Sequence, residues 1–208
     1  ESVDPQTREK IATSDFWQYD KESIADLGLM TYGYQTVEQR MTYSGDLMSP
    51  LSRMLGDTKN IALKTFRLIF KICVDRSRQY LPFTKIRKLI EILMNNSAEI
   101  KDECFLQLIK QTRDNPYLDP NTNEWKLMAV LASYVTPSEY FIYHFLNYLN
   151  TIFTEEKFED ARIWAMFILQ RTLATNKNTE RMVLPLKEEI IAIEDRKKMK
   201  VEVNFMNG

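Results

Sequence analysis

One histidine and two cysteines stand in 208 residues. That falls short of the four ligands a structural zinc site usually draws from those side chains. A cysteine–histidine nucleophile would need Cys73 or Cys104 beside His144. Both cysteines fall on the apolar side of helical patterns, and His144 sits between Tyr143 and Phe145, so the spacing predicts packing rather than catalysis. The five glycines are scattered, and no Walker-type or GxGxxG loop is present to cradle a phosphate. Asp102-Glu103 is a candidate carboxylate pair for acid–base work, but adjacent residues on a helix point in different directions. Long apolar runs are missing too. The richest, Leu127–Val135 and Ile163–Leu169, fall far below the roughly 20 residues of a spanning helix. No secretory n-region or h-region opens the chain. Two cysteines that read as small buried hydrophobes give a cytosolic address.

What is present is apolar and helical in pattern. Hydrophobic residues make up 44% of the chain, with eleven Phe and ten Met, a composition that excludes disorder for most of it. At 24.6 kDa the chain forms one large domain or two small ones, burying roughly 70% of the surface it exposes unfolded. Because it begins at Glu1 and closes within a strand-like pattern, it is expected to be a piece of a larger protein. The net charge of −1 is unevenly spread: −5 over residues 1–58, +7 over 59–113, −6 over 114–160 and +3 over 161–208. A local basic block attracts an acidic partner over a Debye length of about 8 Å. Near-neutrality overall and the lack of interleaved exposed aromatics argue against nucleic acid.

Periodicity divides the chain as follows. Residues 1–19 are polar apart from Phe16, Trp17 and Tyr19, which read as a segment laid over a core. A short helix is expected at Asp20–Leu27 and an extended connection at Tyr32–Pro50. Asp57 or Thr58 caps a helix to about Val74, with Ile61, Thr65, Leu68, Ile69 and Ile72 inward. After a break at Asp75–Tyr80, Pro82 opens a helix with Ile86, Leu89, Ile90 and Leu93 on one face. Glu99–Pro116 is the most completely specified helix. Asn96 or Ser97 can cap its first turn, Asn96 with Glu99 has capping-box spacing, and Ile100, Cys104, Phe105, Leu108 and Ile109 face the core. Lys101, Asp102, Glu103, Lys110 and Arg113 take the other faces, and Pro116 ends the helix. Tyr117–Asn123 reads as a loop, and Trp125–Val135 as a further helix. Thr136 with Glu139 and Pro137 at a first helical position open the next one. Glu155–Ala174, apolar on most sides, is expected at the centre. Pro185–Glu194 closes the helical part, and Val201–Phe205 alternates as an unpaired strand.

Lys101-Asp102-Glu103, then Gln107-Leu108-Ile109-Lys110-Gln111-Thr112 and Asn115-Pro116, resembles the central signature of the myosin tail homology 4 domain, a module of unconventional myosin tails and a plant kinesin. Pro50-Leu51, Glu124–Met128, Thr136-Pro137-Ser138 and Glu188–Ile193 are similar to further points of that pattern, whereas Cys73–Arg76 stands where the family often has Met-Gly-Asp. Val201–Gly208 resembles the first strand of a FERM domain.

The expected fold is all-α, a bundle of about six stacked helices with peripheral ones. The expected division is an N-terminal extension packed on the core over 1–47, a helical core over 48–199, and the start of a FERM domain over 200–208. The resemblance implies a non-catalytic module without cofactor, cytoplasmic and cytoskeleton-associated. Its implied partners are an adjacent FERM domain in cis, a microtubule or cargo protein, and the motor domain in cis. A helical trafficking adaptor binding lipid headgroups or sorting peptides is the alternative. The candidate partner-binding surface is the basic block, Lys64, Arg67, Lys71, Arg76, Arg78, Lys85, Arg87 and Lys88; Arg196-Lys197-Lys198 and Lys200 form a second cluster, read as linker.

Overall fold

The computed structural model describes residues 3–16, 37–54, 56–116, 123–156, 158–177 and 183–197. Nine helices run through them in order: α1 (Pro5–Thr13), α2 (Val37–Arg40), α3 (Asp57–Cys73), α4 (Phe83–Met94), α5 (Ala98–Thr112), α6 (Asn123–Ala132), α7 (Ile142–Glu155), α8 (Glu159–Lys177) and α9 (Lys187–Glu194). The described residues contain no strand, so the all-α expectation holds. The helix expected at Asp20–Leu27, the aromatics Trp17 and Tyr19, the loop over 117–122 and the alternating Val201–Phe205 lie outside the described residues.

Apolar spacing accounts for the first pair of core helices. In α3 the buried residues are Ala62, Thr65, Phe66, Ile69, Ile72 and Cys73, one stripe of a 3.6-residue period. Its N-cap is Gly56, one residue ahead of the expected cap, with φ of 59°, a left-handed conformation that favours glycine. In α4, Ile86, Leu89, Ile90 and Leu93 are buried, and Pro82 stands at the N-cap, where its missing N–H costs nothing. Asn96 donates from Nδ2 to the Ile92 carbonyl at 2.7 Å. It therefore tidies the end of α4 instead of pairing with Glu99, and the N-cap of α5 is Ser97.

The centre of the bundle is α5 and α6. All of α6 except the half-exposed Lys126 is buried, and it packs on α3, α5, α8 and α9. In α5 twelve of fifteen residues are buried, and Asp102, Glu103 and Lys110 are among them. This corrects the expectation that those three face outward. Side-chain periodicity sees the apolar stripe but not the segments that later cover the polar faces. Conversely, α8 is not central. Its Trp164, Ala165, Ile168 and Leu169 are buried, but Ile163 is 42% exposed, and Met166 and Phe167 are half-buried. The helix flanks the core against α6 and α7.

The α6–α7 connection also departs from the sequence pattern. Helix α7 begins at Ile142 rather than Pro137, because Ser138 is engaged elsewhere. Its N–H donates to Asp102 Oδ1 at 2.8 Å and its hydroxyl to Asp102 Oδ2. Ser138 in turn accepts the Phe141 N–H at Oγ (3.1 Å) and the Ile142 N–H at its carbonyl (2.9 Å), the work assigned to Thr136. Phe145 then stacks within 4.8 Å of Phe105, joining α7 to α5. At the start of the chain, α1 lies on α7. Asn147 donates to the Ile11 carbonyl at 3.0 Å and accepts the Phe16 N–H at 3.2 Å. The buried Phe16 ring sits 5.2 Å from that of Tyr148.

Candidate functional site

Five of the eight basic candidates gather on one surface. Lys64, Arg67 and Lys71 are exposed on α3, at spacings of three and four that put them on one outward stripe. Lys85 Nζ donates to the Lys71 carbonyl at 3.1 Å. That bond holds the first turn of α4 against the last turn of α3, and the exposed Lys88 is next along α4. None of the five makes an ion pair among the described residues. Arg87 is exposed but two residues from Lys85, about 200° round the helix, on the other flank. Arg76 and Arg78 are also set apart. Arg76 is 2.9 Å from the buried Glu124, and Arg78 Nε is 2.7 Å from Asp75. Hydrogen bonds from Ser77 and Arg78 hold the Asp75 carboxyl below its ordinary value.

The polar residues of α5 do something the sequence pattern did not disclose. Glu103 accepts the Leu51 N–H and the Ser52 N–H, each at 2.8 Å, the Ser52 hydroxyl at 2.6 Å and the Gln107 amide at 2.9 Å. Gln107 also donates to the Ala62 carbonyl at 2.9 Å and accepts from Thr65 at 3.1 Å. Lys110 Nζ donates to the carbonyls of Arg40 and Thr42, and Gln111 to that of Ser44. Asp102 takes Ser138, as above. About three turns of one helix thus hold down the 40–52 segment on one side and the 138 turn on another. Burial pushes the Asp102 and Glu103 carboxyls up and brings the Lys110 ammonium down to about 8, helped by Arg40 and Arg113. A run of polar residues at three- and four-residue spacing inside an otherwise apolar helix is the signal that marks them.

The nucleophile candidates are not assembled. Cys73 and Cys104 are buried free thiols, and burial raises both above the ordinary thiol value. His144 Nδ1 lies 2.8 Å from the Asp15 carbonyl, to which it donates. No group of three His, Cys, Asp or Glu among the described residues is placed to hold a metal. No helix there is long and apolar enough to cross a membrane.

The model of the MyTH4 domain matches residues 86–192, over half of the chain, from within α4 through the polar α5 into α9. The chain belongs to the MyTH4 domain family. The kinesin-like protein KIN-14I of Oryza sativa subsp. japonica is 26% identical over 179 residues, 83% of this chain. The myosin-I heavy chain of Dictyostelium discoideum is 29% identical over 113 residues, 52% of it. The chain spans 14% and 5% of the length of those relatives. A solved MyTH4-FERM MF1 domain of Dictyostelium discoideum myosin VII shares the fold, with a TM-score of 0.76 at 17% identity, covering 95% of this chain and 39% of that one. MyTH4 domains are interaction modules of motor tails, not catalytic domains. On this MyTH4 domain the resemblance-bearing residues Asp102, Glu103, Gln107, Lys110 and Gln111 are internal ties, whereas the exposed basic face lies mostly ahead of the matched stretch.

Proposed function

We propose that this MyTH4 domain is a partner-binding module of a cytoskeletal motor tail, acting with an adjacent FERM domain to bind cargo, microtubules or both, in the cytoplasm. The observation that carries the reading is the basic face of Lys64, Arg67, Lys71, Lys85 and Lys88. Five exposed cations with no carboxylate partner among the described residues leave a positive potential that favours an acidic surface. In this reading residues 48–199 form the module, 1–47 an extension on it, and 200–208 the start of the FERM domain. The same face also serves if the tail folds back on the motor, provided the motor presents acidic groups. Arg76, Arg78 and Arg87 are secondary in this scheme, two being ion-paired and one lying on the far flank.

Co-sedimentation of residues 1–208 with microtubules at low and physiological salt tests this, beside a variant with the five cations changed to Glu. Binding that weakens steeply with salt and vanishes in the variant supports a microtubule site on this face. An unchanged pellet for the variant, or no binding by the parent at low salt, overturns that site. Flotation with anionic vesicles serves as the parallel arm: capture there, with none on microtubules, moves the assignment to the lipid-binding adaptor reading.

A further inference from the structure

A cleft of about 620 Å³, lined by none of the five cations of the basic face, opens between the 76–80 turn, the start of α6, the α8 residue Trp164 and the end of α9. Two of its lining side chains are buried with a polar atom that finds no partner among the described residues. The indole N–H of Trp164, a residue 2% exposed, is one, and Glu194 Oε1 is the other. The second Glu194 oxygen accepts the Leu81 N–H at 3.0 Å, so the residue is positioned and half used. Indole N–H is a donor only, and buried polar groups are rarely left unmade in folded proteins. The two orphans are thus one donor and one acceptor, both buried, on side chains that line a single cleft.

The charges around them differ in how far they are paired. Lys197 pairs with Asp195 at 2.9 Å, Arg76 with Glu124 and Arg78 with Asp75. Lys126 and Arg196 also line the cleft and form no ion pair among the described residues. Lys126 donates to the Gln79 carbonyl at 3.2 Å, and its charge also acts on Glu194. Arg196 follows α9 in a left-handed turn, φ 55°, and lays its guanidinium 4.8 Å from the Trp164 ring centroid.

We propose that this cleft docks a short peptide segment of a protein partner, one presenting an oxyanion, carboxylate or phosphoryl, beside a main-chain amide. The amide carbonyl answers the Trp164 N–H, and the amide N–H answers Glu194. Arg196 swings off the indole onto the oxyanion, where a guanidinium makes paired charge-assisted bonds, with Lys126 as the second cation. A polyanion fits poorly, because Glu194 and Asp195 share the wall. The volume is that of a small-ligand site, and the site owes nothing to the five cations of the basic face.

The Trp164 indole N–H supplies the test, since the chain has three tryptophans and Trp164→Phe identifies its ¹H–¹⁵N signal. The intact 1–208 chain is titrated with N-acetyl-phosphoserine N-methylamide, N-acetyl-aspartate N-methylamide, the blocked serine and inorganic phosphate. Saturable movement of the Trp164 signal with the two charged peptides, little with blocked serine, and affinity weakened about tenfold or more in a Lys126→Ala, Arg196→Ala variant is expected. Whichever charged peptide binds more tightly identifies the source of the oxyanion. A Trp164 signal that stays put, responds equally to blocked serine, or titrates alike in the double variant overturns the proposal. Inorganic phosphate binding as tightly as the blocked phosphoserine overturns the peptide assignment.

Discussion

Glu103 and Ser52 stand 51 positions apart and meet twice, the carboxylate accepting both the Ser52 N–H at 2.8 Å and its hydroxyl at 2.6 Å. Glu103→Ala leaves those donors and the Leu51 N–H buried without an acceptor. At roughly 1–3 kcal/mol for a buried orphan, and given incomplete additivity, a loss of about 3–5 kcal/mol is expected from urea unfolding. Glu103→Gln keeps the shape but turns an amide donor toward groups that also donate, and is expected to lose about 1–3 kcal/mol. A Glu103→Ala protein as stable as the parent would show that the 51–52 segment does not depend on this carboxylate.

Lys110 gives a pH signature. Its ammonium is brought from 10.5 to about 8 in the folded chain, so between those values the unfolded chain binds more protons. Stability from this group therefore rises as pH climbs from about 8 toward 10.5, and is lost as pH falls through 8. A neutral amine still has two N–H donors for the Arg40 and Thr42 carbonyls. The stability difference between the parent and Lys110→Met, followed by urea unfolding from pH 7 to 10, should move in favour of the parent across that window. A difference that stays flat would refute the assignment.

Arg76 and Arg78 are neighbours with unequal consequences. Glu124 is buried and Arg76 is its ion-pair partner, so Arg76→Ala removes the cation beside a buried carboxylate that also accepts from Asn115 at 3.4 Å, and is expected to cost about 2–4 kcal/mol. The Arg78–Asp75 pair is exposed, and Arg78→Ala should leave the unfolding midpoint where it is. Thermal melts of the two variants side by side decide it, and equal losses would contradict the burial argument.

The two thiols should be silent in the native state. Cys73 and Cys104 are enclosed and burial disfavours their thiolates, so a thiol-specific chromophore is expected to react only as the chain unfolds. Rapid native-state labelling would mean the core around α3 or α5 opens readily.

Much of this was readable from the sequence, and the misses have a common cause. The 3.6-residue spacing in α3 and α4 placed Ile69, Ile72, Ile86 and Leu89 correctly, because a single apolar stripe decides burial in a two-layer contact. At α5 the same rule failed for Asp102, Glu103 and Lys110, whose burial depends on the 40–52 segment and the 138 turn. Those are long-range partners that local periodicity does not carry. Ser138 shows it again: its hydroxyl oxygen accepts the Phe141 N–H as a cap would, while its proton goes to Asp102 36 positions away. The basic stripe Lys64, Arg67 and Lys71 was legible as a helical face, and its joining to Lys85 only through the α3–α4 turn. Nothing in the spacing separated Arg76 from its neighbours, since its partner Glu124 lies 48 positions away, whereas Asp75 and Arg78, at i and i+3, are a local pair.

The internal ties of α5 bear on how inherited or engineered changes in this domain are interpreted. Residues such as Asp102, Glu103 and Lys110 touch no surface a partner can reach, yet replacing them dislodges segments on two sides of the bundle. A cell carrying such a change would lose partner recruitment because less folded protein survives, with the affinity of each surviving molecule intact. Under the function proposed above, abundance and affinity would report on different parts of the chain, the first on the middle of α5 and the second on the exposed cations of α3 and α4.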